Sequence, residues 1–166
     1  MKTPRKGLDI WEVEKSFLDS KPLTPRQEAV AAAAMDSSND REKLIACEAF
    51  IRQKQPHRLR SKALQEIEKM CARFIQTGAP SYSNLALILF SIPAEELFDI
   101  AILRAFLEKA VLHEDLRANS LLVLGRFAKR GDEGAIAILR AALNDPDESV
   151  RKNAAYRLSR LPSSNK

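Results

Sequence analysis

The chain repeats itself, and no other feature limits its fold as strongly. Ala101-Ile102-Leu103-Arg104-Ala105-Phe106-Leu107 returns as Ala137-Ile138-Leu139-Arg140-Ala141-Ala142-Leu143, with six of seven residues identical at a separation of 36. The segment that follows returns at a separation of 34: Leu116-Arg117 as Val150-Arg151, Ser120-Leu121 as Ala154-Ala155, and Leu124 as Leu158. A further 34 residues upstream, Tyr82, Ala86, Leu87 and Phe90 occupy the places of Leu116, Ser120, Leu121 and Leu124. Met70, Cys71, Phe74 and Ile75 stand 68 before Ile138, Leu139, Ala142 and Leu143. A period of this length fits one helical hairpin. A lone hairpin cannot bury its apolar face, so consecutive hairpins must stack.

Helix punctuation agrees with that period. Ile10, Val13 and Phe17 share one face of a helix predicted over about 8–20, which Lys21-Pro22-Leu23 ends. Thr24, Pro25 and Gln27 form a capping box with proline at the first helical position, and Asn39 with Glu42 predicts a second box. Further helices are predicted over about 40–54, 56–76, 82–91, 93–111, 114–129, 132–143 and 146–160, with Gly78 and Gly131 as stops. Asp145-Pro146-Asp147-Glu148 supplies a cap, a first-turn proline and a box glutamate for the last. No segment alternates with period two, so no sheet is predicted. The expected fold is all-α, an α-α superhelix of about nine helices. It occupies 8–161 as one domain, between a basic stretch at 1–7 and a polar tail at 162–166.

Asn144-Asp145-Pro146-Asp147-Glu148-Ser149-Val150-Arg151-Lys152-Asn153-Ala154-Ala155 resembles the HEAT-repeat signature, in the short bacterial form known from phycobilin lyase subunits. Leu116-Arg117 through Leu124-Gly125 resembles the matching part of the preceding repeat. The resemblance implies a scaffold whose second helices line a concave, partner-binding side. It also implies an inter-repeat ladder built from an aspartate and the arginine six residues later, which here are Asp145 and Arg151; Arg117 lacks its aspartate because Val111 stands there.

The residues offer no catalytic constellation. There is no phosphate-binding glycine loop, metal-ligand cluster or nucleophile elbow, so the weight lies against an enzyme and no cofactor is expected. Cys47 and Cys71 are expected as buried thiols, and His57 and His113 as solvated turn histidines. Asp9, Glu12 and Glu14 interrupt the apolar run a signal peptide needs, and no apolar run is long enough to span a membrane, so a cytoplasmic location is expected.

Two surface features remain. The stretch from Leu116 to Gly131 holds Arg117, Arg126, Lys129 and Arg130, and that from Ser149 to Leu161 holds Arg151, Lys152, Arg157 and Arg160, neither with an acid. Helix dipoles account for Lys129, Arg130 and Arg160, and the repeat motif for Arg117 and Arg151. The second feature is an apolar residue at the same predicted outward position in three repeats, Ile88, Leu122 and Tyr156, bordered by Arg126, Lys152 and Arg160. These six are the candidate partner-binding residues, suited to an acidic, partly apolar protein segment; ordinary packing in a curved groove accounts for the same apolar residues.

The functional expectation is therefore a non-enzymatic protein-interaction module, an adaptor or regulator. Nucleic-acid binding on a basic concave face is the alternative. The acid-free segment from Arg52 to Lys62 admits it, but that segment lacks interleaved aromatics. A chromophore lyase or its chaperone is implied by the repeat type alone.

Overall fold

The computed structural model describes residues 9–18, 21–53, 58–78, 85–93, 96 and 102–162. Among them are nine α-helices and no strand: α1 (Ile10–Leu18), α2 (Pro25–Ala34), α3 (Asp40–Ile51), α4 (Arg60–Thr77), α5 (Leu85–Ser91), α6 (Leu103–Ala110), α7 (Glu114–Lys129), α8 (Glu133–Ala141) and α9 (Glu148–Ser159). A 3-10 turn, Ala142–Asn144, extends α8. The fold is all-α, as the repeat pattern requires. The starts predicted at Pro56 and Tyr82 lie outside the described residues. The helix predicted from Pro93 is described from Leu103, behind a turn at Ile102 that supplies no side-chain cap.

The chain divides into two compact units, Met1–Met70 and Cys71–Lys166. In the first, α1, α2 and α3 pack on one another. Ile10 and Val13 of α1 are buried, and so are Leu44 to Cys47 and Ala49 to Ile51 of α3. The Thr24 hydroxyl accepts from the Gln27 amide while the Gln27 side chain accepts from the Thr24 amide, so the predicted box forms. The Gln27 side chain also donates to Ser16 Oγ of α1, which ties the entry of α2 to that helix. Asn39 caps α3 alone. Its box partner Glu42 instead accepts from the Ser37 hydroxyl, whose oxygen accepts from the Asn39 amide.

In the second unit α7 packs against α5, α6, α8 and α9. The second helices of three repeats, α5, α7 and α9, thus contact in sequence. The first helices meet through side chains. Phe74 of α4 stacks edge-on against Phe106 of α6 at 5.3 Å, and Lys109 of α6 donates to the Ile75 carbonyl near the end of α4. Arg104 of α6 pairs with Asp132, whose carboxylate also accepts from the Ala135 amide as the N-cap of α8. Gly78 and Gly131 take positive φ, +67° and +84°, and stop α4 and α7 where the sequence placed its stops. His113 is not simply solvated: its ring lies edge-on to Phe74 at 5.1 Å.

The N-cap of α9 is Asp147, which accepts from the Ser149 amide, and not Asp145 as the motif suggested. Asp145 is drawn elsewhere. Its carboxylate accepts from the Asp147 amide and faces Arg117 Nε of the preceding repeat at 3.2 Å, an ion pair without hydrogen-bond alignment. Arg151 donates to the backbone carbonyls of Asp145 and Pro146. An inter-repeat ladder therefore exists, and Arg117, lacking an aspartate in its own repeat, uses that of the next.

Candidate partner-binding surface

The face shared by α5, α7 and α9 is not the apolar ridge that the period suggested. Ile88 is buried, 1% exposed, and Leu122 is half-covered; of the three aligned residues only Tyr156 is open, at 49%. The reason lies in α5. Its sequence, Leu-Ala-Leu-Ile-Leu-Phe-Ser, is apolar at every position but the last, so periodicity cannot choose a face. Neighbours choose instead. Leu85, Ala86, Ile88, Leu89 and Ile92 are buried, whereas Phe90, aligned with the core residue Leu124, is 39% exposed.

Phe90 does not stand alone. The guanidinium of Arg126 from α7 lies 5.8 Å from its ring centroid and that of Arg157 from α9 lies 5.7 Å away. Arg157 is also 5.3 Å from the Tyr156 ring, and Arg160 approaches the same ring at 5.3 Å. Five side chains from three helices thus form a continuous aromatic–guanidinium cluster. Such contacts are worth about 0.5–1 kcal/mol each where exposed.

Gly125 makes the cluster possible. A Cβ there would sit 2.6 Å from Arg157 Cδ and 3.0 Å from Cγ, so the stem of Arg157 lies directly on the bare backbone of α7. Crossing α7 at that point, it carries its guanidinium to the Phe90 ring of α5. Arg157 and Phe90 are the residues that sequence reasoning missed as site members. Arg157 has no periodic counterpart, since Val123 occupies its place one repeat earlier. A glycine inside a predicted helix was the available signal of a close approach.

The other candidates have partners. Arg126 donates to the carbonyls of Phe90 and Ile92, at 3.1 and 2.6 Å, and so covers the exposed end of α5. Lys152 is not an unbalanced cation: it pairs with Glu148 at 2.6 Å on an exposed helix face, where such a pair contributes little. Arg160 is exposed above Tyr156. Among the described residues, neither Arg157 nor Arg160 has a carboxylate within ion-pair distance, and Arg157 Nε is shielded from water without an acceptor.

Cys47 and Cys71 are buried and unbridged, and burial pushes the Cys47 thiol up to about 12, far from a nucleophile's range. No group of three potential metal ligands occurs among the described residues. No described helix is long and apolar enough to cross a membrane. In the basic segment, Arg52 pairs with Glu48, Lys62 with Asp36, and Arg60 donates to the Ile51 carbonyl. His57 lies outside the described residues.

No curated protein and no solved structure matches the chain. Residues 100–166 match the model of the family described as HEAT repeats, which names the repeat and no subtype. That match covers α6 to α9, where the duplicated sequence, the paired hairpins and the Asp145–Arg117 ladder coincide, and this part of the chain is built of HEAT-like repeats.

Proposed function

We propose that the chain is a protein-interaction module, an adaptor or regulator, that binds an acidic, partly apolar segment of a partner on the face made by α5, α7 and α9. HEAT repeats commonly mediate protein–protein interaction. The observation that carries the finer reading is the exposed cluster of Phe90, Tyr156, Arg157 and Arg160, beside Arg126, in which no described carboxylate balances Arg157 or Arg160. Aromatic and arginine side chains are the residues that most often dominate interface energetics. The cations add electrostatic steering. Ile88 leaves the set of contact residues because it is buried, and Lys152 contributes only at the rim.

Nuclease-treated lysate, passed over the immobilised full chain and over variants, tests this. Tyr156→Ala with Arg160→Glu should lose the captured partner, whereas Glu133→Lys on α8 should retain it. For the isolated pair, Tyr156→Ala should mainly speed dissociation and Arg160→Glu mainly slow association and flatten its salt dependence. Loss of binding with Glu133→Lys, and none with the other two, places the interface on the first helices and overturns the reading.

A further inference from the structure

The cluster has a centre. The Arg157 guanidinium is approached by two rings, Phe90 at 5.7 Å and Tyr156 at 5.3 Å, while its stem rests on Gly125. Three separate elements therefore fix a side chain that in solution would sample many rotamers, and that entropy is already spent before any ligand arrives. Yet among the described residues Arg157 donates no side-chain hydrogen bond, and its Nε is shielded from water. A guanidinium so placed has lost part of its hydration and has gained no acceptor in return.

We propose that Arg157 is the anchor of this surface, taking one carboxylate of an acidic side chain in the partner segment, with Arg160 beside it as the second cation. The inference rests on the reading of this face as the partner surface and names the group that decides its chemistry. Guanidinium planes match carboxylates in two parallel hydrogen bonds, a geometry a lysine cannot reproduce. The same arrangement favours a peptide over a nucleic acid. Single strands bind by stacking bases on open aromatic faces. Here the Phe90 ring already carries the guanidiniums of Arg126 and Arg157, and the Tyr156 ring those of Arg157 and Arg160. The rings are occupied in positioning cations, and a base would have to displace them.

The test uses the full chain, with arginine Nε–Hε resonances followed by nuclear magnetic resonance during titration. The probes are a fluorescein-labelled peptide alternating glutamate with leucine, its glutamine counterpart, and a fluorescein-labelled thymidine oligonucleotide. The glutamate peptide should move the Arg157 resonance and leave that of Arg104, already paired with Asp132 and Glu108. The glutamine peptide should not. Arg157→Lys keeps the charge and most of the stem on Gly125, so it should unfold at the wild-type midpoint and bind the glutamate peptide about tenfold more weakly. If Arg157→Lys binds as the wild type does while Tyr156→Ala and Arg160→Glu weaken binding, the surface stands and the anchor is wrong. If the oligonucleotide moves Arg157 and the glutamate peptide does not, the face belongs to nucleic acid and both readings fail. A peptide that moves neither Arg157 nor Arg160 overturns the proposal outright.

Discussion

Gly125→Ala separates two opposing effects that the structure sets against each other at one atom. Gly125 lies inside α7, where replacing glycine by alanine ordinarily stabilises a helix by about 1 kcal/mol. Here the new methyl would stand 2.6, 3.0 and 3.3 Å from Cδ, Cγ and Cβ of Arg157, against an ordinary contact of 3.4 Å or more. Inserting a methyl into such a site costs about 1–3 kcal/mol. With about 2 kcal/mol for the clash, the net effect is a loss of about 1 kcal/mol. The sign should reverse once Arg157 is cut back to alanine. Cδ and Cγ are then gone, Cβ at 3.3 Å can give way, and Gly125→Ala should recover most of the helix-propensity gain. A double-mutant cycle by equilibrium urea unfolding, with Gly125→Ala, Arg157→Ala and both, should therefore give a coupling of about 2 kcal/mol. If Gly125→Ala stabilises the protein by about 1 kcal/mol in both backgrounds, the coupling is zero. Arg157 then does not lie across α7 at Gly125, and the close approach of its stem is refuted.

Two further outcomes follow from packing and charge. Ser120 is fully buried with its hydroxyl unpartnered, and the equivalent residues of the flanking repeats, Ala86 and Ala154, are alanines; Ser120→Ala should raise stability by about 1 kcal/mol, and a lowered urea midpoint would show a hidden partner. At Asp132 burial works to raise the carboxyl pKa, but the amides of Ala135 and Gly134 and the Arg104 guanidinium outweigh it and hold the group below its ordinary 3.8. A depressed folded pKa gives stability that is present above 3.8 and lost as pH falls through the folded value. The gap in urea midpoint between wild type and Asp132→Asn should thus be widest near neutrality and close below pH 3.8; a gap that stays constant refutes the assignment.

Repeat period and helix punctuation were legible because both are local. Helix α7 falls at Glu114–Lys129, the predicted span, with Gly131 in the left-handed conformation that stops it. Local rules failed where two residues competed for one task. Asp145 and Asp147 both carry a capping carboxylate. Asp145 faces Arg117 of the neighbouring repeat, and Asp147 is left to cap α9. No window of sequence around Asp145 contains that information. The surface failed for a related reason: α5 is apolar almost throughout, so a residue's exposure depends on which neighbouring helix reaches it. Phe90 and Ile88 are two positions apart on one helix and have opposite fates.

Arg126 and Arg160 show how a repeat turns one register position to two uses. They stand 34 residues apart at equivalent register positions, Arg126 inside α7 and Arg160 as the C-cap of α9. Helix α5 ends at Ser91, so the carbonyls of Phe90 and Ile92 lack helical partners, and Arg126 takes both. The equivalents of those carbonyls, at Leu124 and Arg126, lie within α7, which continues to Lys129 before Arg130 caps it. Arg160 therefore meets no helix end at its register position. It lies over Tyr156 instead, its charge unspent on the fold. One extra turn of α7 thus converts a structural cap into a surface cation, and it does so beside the ring that also holds Arg157. The length of the preceding helix, more than the identity of the arginine, sets whether this register position covers a neighbouring helix end or stays on the surface.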